Sequence, residues 1–238
     1  MNTPQSRSLL EPRRVGMLAL VVAVLIGVLA LGLPRVTRED SPAAAGELER
    51  KQVIDPPRDL VDFRLTDQNG DVRHLSDLQG KPVLLFFGFT HCPDVCPATM
   101  AHFRQVKRDL GEQGDDVTFV LVSVDGSRDT PETLKAYVEQ FDEDFVGLTG
   151  DEDYVREIGR DYFLFFNRAA VDGTPSAAGY LVDHTAYSYL IDDAGRLRFI
   201  YPFQAPRELI VQDLRDMIGS SGTVRQDAGA SGHSWEMQ

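Results

Sequence analysis

Hydrophobic and polar positions along this chain fall into a few sharply different patterns. Val15 to Leu33 is nineteen residues without a charge or strong polar group. At the helical rise it spans roughly 28 Å, about the thickness of a bilayer core. Further on, "DFRLTDQNGDVRHL" places Phe63, Leu65 and Val72 around Asn69-Gly70, the signature of a β-hairpin. "PVLLFFGF" (Pro82 to Phe89) and "VTFVLVSV" (Val117 to Val124) are unbroken apolar runs, as expected of strands buried on both faces. Between them, Met100, Phe103, Val106 and Leu110 recur at helical spacing and stop at Gly111.

The second run is followed by "RDTPETLKAYVEQF", in which Thr130 caps a helix and Pro131 takes its first position. A short strand near Phe145–Leu148 and a helix around Asp153–Arg160 come next. "AYSYLID" and "LRFIYP", joined by Asp192–Gly195, form a terminal hairpin, and Pro206 to Ile218 forms a last helix. Strand–helix–strand with buried strands implies a right-handed parallel unit. The order β-α-β…β-β-α predicts an α/β domain of thioredoxin-like fold, residues 54–219, with an N-terminal β-hairpin extension. Residues 34–53 read as a tether, and the Gly-, Ser- and Ala-rich residues 220–238 as a disordered tail.

Composition adds little to the fold but narrows the partners. The chain is 42% hydrophobic and 26% charged, within the globular range. Its net charge of −13 is uneven: residues 1–40 sum to +2, so the remainder carries −15 and repels phosphate backbones. Nucleic acid is therefore not an expected partner. Arg7, Arg13 and Arg14 precede the long apolar run, which keeps residues 1–14 cytoplasmic and exports the rest. Residues 15–33 are thus expected to be one transmembrane anchor. A cleaved signal peptide fits less well, because its apolar region is usually about 7–15 residues. The absence of transit-peptide composition favours a bacterial inner membrane, with the soluble domain in the periplasm.

The chemistry concentrates in "FFGFTHCPDVCPATM", which contains both cysteines, Cys92 and Cys96, in the turn between the first buried strand and its helix. Backbone N–H groups and the helix dipole favour a thiolate there. A structural disulfide would close a very small loop and constrain the unfolded chain little. A thiol–disulfide exchange role is open, although C-x-x-x-C differs from the C-x-x-C of thioredoxin-like oxidoreductases. Asp94 would oppose a thiolate if it pointed inward, and Thr90, two residues before Cys92, does not match a peroxiredoxin pattern. A soft-metal site is the third reading, since two thiolates one helical turn apart suit Cu(I) or Zn(II). It needs another ligand. His91 should face away, His102 is two turns down the helix, His74 is in the hairpin, and His233, with Met237, is in the tail. His184 precedes the terminal hairpin, which such a fold brings to the end of the sheet where the cysteines sit.

"GFTHCPDVCP", "SVDGSRDTPETLKAYVEQF" and "VDHTAYSYLID" together resemble the Sco/SenC family of membrane-anchored, thioredoxin-like copper proteins. The resemblance implies a copper site made by Cys92, Cys96 and His184, holding Cu(I) and, through imidazole, also Cu(II). It further implies a copper donor protein and delivery of copper to the Cu(A) centre of cytochrome c oxidase subunit II. Reduction of that subunit's cysteines, with Cys92 and Cys96 as the exchanging pair, is the alternative role. Where the family usually carries proline after Ser-Val-Asp, this chain carries Gly126. The segment Asn167 to His184 resembles the loop that bears the family's histidine.

Overall fold

The computed structural model describes residues 51–169 and 181–230. The expected anchor, the cytoplasmic N-terminus, most of the tether, His233 and Met237 lie outside the described residues. Among the described residues no helix is long and apolar enough to cross a membrane.

Among the described residues, ten strands and four α-helices follow one another. They are β1 (Gln52–Asp59), β2 (Arg64–Asp67), β3 (Val72–His74), β4 (Val83–Gly88), α1 (Val95–Leu110), β5 (Thr118–Ser123) and α2 (Pro131–Val138). β6 (Val146–Thr149), α3 (Glu152–Gly159), β7 (Phe166–Ala169), β8 (Leu181–His184), β9 (Ser188–Ile191), β10 (Arg196–Tyr201) and α4 (Arg207–Ala230) complete the order. Eight strands form one sheet in the order β1-β10-β9-β4-β5-β6-β2-β3, and β7 pairs with β8 apart from it. The β4–β5 and β5–β6 pairs are parallel, while β9 runs antiparallel to β4 and carries β10 beyond it.

The apolar runs sit where the pattern places them. Every residue of β4 is buried, and β5 is buried after Thr118. Side chains alternate across a strand. Phe86 and the side-chain-free face of Gly88 therefore lie toward Cys96 of α1, whereas Phe87 faces the other way, edge-on to Tyr162 and Tyr189 at 5.1 and 5.7 Å. α1 buries Cys96, Met100, Phe103, Val106 and Leu110 and ends at Gly111, whose φ of +63° a side chain would resist. Thr130 caps α2 by accepting from the Thr133 N–H, with Pro131 in the first turn. Asp67 builds the β2–β3 turn by accepting from the amides of Asn69 and Asp71 and pairing with Arg73.

Three elements depart from the expectation. β1, paired with β10, lies partly in the segment read as tether; its prolines at 56 and 57 and lack of alternation hid it. An edge strand tolerates prolines because one side of its backbone needs no ladder partner. The segment Asn167 to His184 is not wholly a loop, since its ends pair as β7 and β8 with Phe166 opposite His184. Finally, α4 is helical through Ala230, beyond the boundary expected at 219.

Candidate functional site

The site begins where β4 ends. Two strands lying side by side, β4 and β5, finish together with Gly88 opposite Ser123, and the chain leaves β4 over the sheet's end through residues 89–94 before entering α1. Cys92 is in that loop, half-buried, and Cys96 is in the first turn of α1, fully buried. Both are free thiols. The Cys96 amide donates to the Cys92 sulfur at 3.4 Å, the use of a helix's unpaired N-terminal N–H groups expected from its geometry. A side chain on Gly88 would lie 3.1 Å from the Cys96 sulfur, so glycine leaves the room that the buried thiol occupies.

His184 ends β8, eighty-eight residues from Cys96, yet its Nε2 lies 3.5 Å from the Cys96 Sγ. Its Nδ1 is 3.2 Å from the Thr185 carbonyl oxygen. A carbonyl only accepts, so Nδ1 carries the proton and Nε2 presents a lone pair toward the sulfur. Phe86 and Phe89 pack edge-on against the imidazole at 5.7 and 5.9 Å. Thr185 in turn pairs with Phe165, its amide donating to the Phe165 carbonyl and its hydroxyl accepting from the Phe165 amide. The imidazole is thus fixed in both tautomer and orientation.

The two thiols are electrostatically unlike. Cys92 is drawn down to about 4, first by a hydrogen bond from the Cys96 thiol, with the neighbouring His184 side chain and the Asp94 and Cys96 amides adding to it against the cost of burial. The same Cys92–Cys96 bond and burial push the Cys96 thiol up. In the metal-free protein Cys92 is the thiolate and Cys96 its proton donor. Asp94 does not oppose this: its side chain is exposed, and its backbone N–H serves the thiolate. Among the described residues no three His, Cys, Asp or Glu side chains are yet gathered closely enough to enclose a metal ion. The donor set nevertheless fits a soft cation, with two sulfurs and one oriented imidazole nitrogen and the Cys96–His184 edge already at contact.

The other described histidines, His74, His91 and His102, are not part of this donor set. His91 is exposed, with Nδ1 3.0 Å from the Thr90 hydroxyl. His102 lines a cleft with Phe203 and Gln204, and His74 ends β3. Asp129 is the residue that sequence reasoning passed over. "SVDGSRDTPET" was legible as a strand end and a helix cap, but Asp129 is fully buried and bonded to Thr90 and Ser123 beneath the cysteine loop. Gly126 is explained by packing, because a Cβ there would stand 1.9 Å from the Gly150 carbonyl oxygen.

A parallel β4–α1–β5 core with a dithiol at the first helix's N-terminus and an imidazole set against it defines a thioredoxin-like dithiol protein with a soft-metal donor set. The family model described as SCO1/SenC matches residues 53–219. The chain belongs to that family. It is 34% identical over 192 residues to the SCO2-like protein of Rickettsia felis, covering 80% of this chain and 92% of the relative. Copper-bound ScoI of Bradyrhizobium japonicum superposes with a TM-score of 0.58 at 38% identity, over 65% of this chain and 96% of that one. Copper-bound yeast Sco1 does so with a TM-score of 0.61 at 27% identity, over 69% and 90%.

Proposed function

We propose that this protein is a membrane-anchored copper chaperone that carries one Cu(I) on Cys92, Cys96 and His184 and serves assembly of the Cu(A) centre in cytochrome c oxidase subunit II. The observation that carries the reading is the contact between Cys96 Sγ and His184 Nε2, with the imidazole's other nitrogen already committed to a carbonyl. The family's tie to oxidase assembly, and relatives whose structures hold copper, support it. Residues 15–33 supply the anchor in this reading, and the periplasmic face of a bacterial inner membrane is where the domain works.

Copper is cargo here. Cys92 offers a thiolate without losing a proton, whereas Cys96 must release one as the metal arrives. Three ligands leave an incoming thiolate room to bind before one of them leaves, so the ion passes to an acceptor without being freed. Oxidation of the two thiols to a disulfide removes both sulfur ligands and closes the site.

The unlike thiols favour a second role, reduction of an exported disulfide. The Cys92 thiolate attacks a substrate sulfur and expels the other as a thiolate; Cys96, deprotonated, then attacks Cys92 and releases the second substrate thiolate. Two electrons pass to the substrate, and the protein is left as the disulfide. The test is competition for Cu(I) against a chromogenic chelator, using the reduced full chain in detergent beside Cys92→Ala, Cys96→Ala and His184→Ala. Carriage predicts one tight equivalent in wild type and loss in each variant. A wild type that competes no better than Cys92→Ala overturns the copper site. Disulfide-reductase activity that survives His184→Ala would make reduction the function.

A further inference from the structure

Asp129 has no role in the chemistry above, although it is fully buried. One carboxylate oxygen accepts from the Thr90 hydroxyl at 2.6 Å, and the other accepts from the Thr90 amide at 3.0 Å and the Ser123 hydroxyl at 2.6 Å. The exposed His91 ring stands beside it, its Nδ1 3.6 Å from one carboxylate oxygen. Burying a carboxylate is costly unless its hydrogen bonds are made. Here both oxygens are used as acceptors, which an amide side chain with one oxygen does not reproduce.

The position of these bonds gives them a purpose. Ser123 ends β5, and Thr90 opens the loop that bears Cys92 two residues later. The next turn of that loop is closed by the Cys92 amide on the Phe89 carbonyl at 3.3 Å. Asp129 therefore ties the loop to the end of the central sheet just before the chain turns toward the thiols. Two bonds to Thr90, one to its backbone and one to its side chain, fix its orientation as well as its place.

We propose that Asp129 is the positioning residue of the metal-binding loop: acting through Thr90, it holds Cys92 where its sulfur shares an ion with Cys96 and His184. The inference rests on the copper-carrying reading for its purpose, but its local effect is measurable without metal. Groups standing behind metal ligands typically alter affinity by about tenfold to a hundredfold when removed.

The experiment uses the reduced full chain in detergent, with Asp129→Asn, Thr90→Val and Thr90→Ser. Hydrogen exchange at the Thr90–Cys96 amides is measured without metal, and Cu(I) affinity by chelator competition. Thr90 is only half-buried, so Thr90→Val keeps the test open even where Asp129→Asn fails to fold. Expected are exchange about tenfold faster in the loop for Asp129→Asn and Thr90→Val, the size of one charge-assisted hydrogen bond, and Cu(I) affinity lower by at least about tenfold. Thr90→Ser, which retains the hydroxyl, should restore both. Unchanged exchange and affinity in Thr90→Val overturn the proposal. So does an affinity loss in Asp129→Asn with exchange unaltered, which would assign the effect to charge. If wild type takes no Cu(I) yet exchange responds as expected, the copper reading fails while Asp129 remains the loop's positioning residue.

Discussion

A single methyl group at Gly88 tests the site and its support together. In Gly88→Ala the new Cβ would stand 2.6 Å from a Phe86 ring carbon, 3.1 Å from the Cys96 sulfur and 3.2 Å from a Leu121 methyl. The sulfur has to give by a few tenths of an ångström, and the ring by more. Overpacking of this kind costs about 1–3 kcal/mol, offset slightly because alanine suits a strand better than glycine by roughly 0.5–1 kcal/mol. A net loss of ~1–2 kcal/mol lowers the melting temperature by about 2–8 °C in a domain of this size. The metal site suffers separately. Cys96 Sγ moves relative to His184 Nε2, now 3.5 Å away, and the displaced Phe86 ring is one of the two packed against that imidazole. Cu(I) affinity should fall by about tenfold. Calorimetry of the metal-free protein and chelator competition read the two effects. Gly219→Ala is the control: with nothing within 4 Å of its new Cβ, it should stabilise α4 by roughly 0.5–1 kcal/mol and leave copper alone. Wild-type stability and affinity in Gly88→Ala would refute the packing on which the site's geometry depends.

Alkylation of Cys92 in the metal-free protein should follow a thiolate titrating near pH 4 and level off well below the ordinary thiol value of 9.0. Cys96→Ala, which removes the largest cause, should raise that midpoint more than His184→Ala does; mass spectrometry of the labelled cysteine decides, and a wild-type midpoint near 9 would contradict the charge asymmetry. At the β2–β3 turn, burial opposes ionisation of Asp67, yet hydrogen bonds from Arg73 and two amides outweigh it and hold its carboxyl below the ordinary 3.8. A depressed carboxylate stabilises the fold above that value, and its contribution is lost as pH falls through the lower native one. Asp67→Asn should therefore cost about 1–2 kcal/mol at neutral pH and progressively less below pH ~4, measured by urea unfolding across pH.

Much of this architecture is local and was legible for that reason. Apolar runs at 83–89 and 117–124, the helical face from Met100 to Leu110, the Thr130-Pro131 start and the Asn69-Gly70 and Asp192–Gly195 turns each encode burial or backbone shape within a few residues. The same locality put Cys92 and Cys96 on a strand-to-helix turn before any coordinate was known. β1 escaped because two prolines and no alternation erase the strand signal, although an edge beside β10 accommodates them.

The sequence by itself determined the central strands and helices, the thiol pair and, through three motifs, the candidate histidine. Only the tertiary structure decided that His184 reaches Cys96, that its Nδ1 is taken by a carbonyl, that the thiols differ in charge, and that Asp129 reaches back to Thr90. Periodicity records which face of an element is buried, but not which element lies across from it. Those contacts depend on strand order and register, set when β9 pairs antiparallel to β4, β8 pairs with β7, and β5 lies parallel beside β4. The assembled fold brings residues eighty-eight positions apart within 3.5 Å.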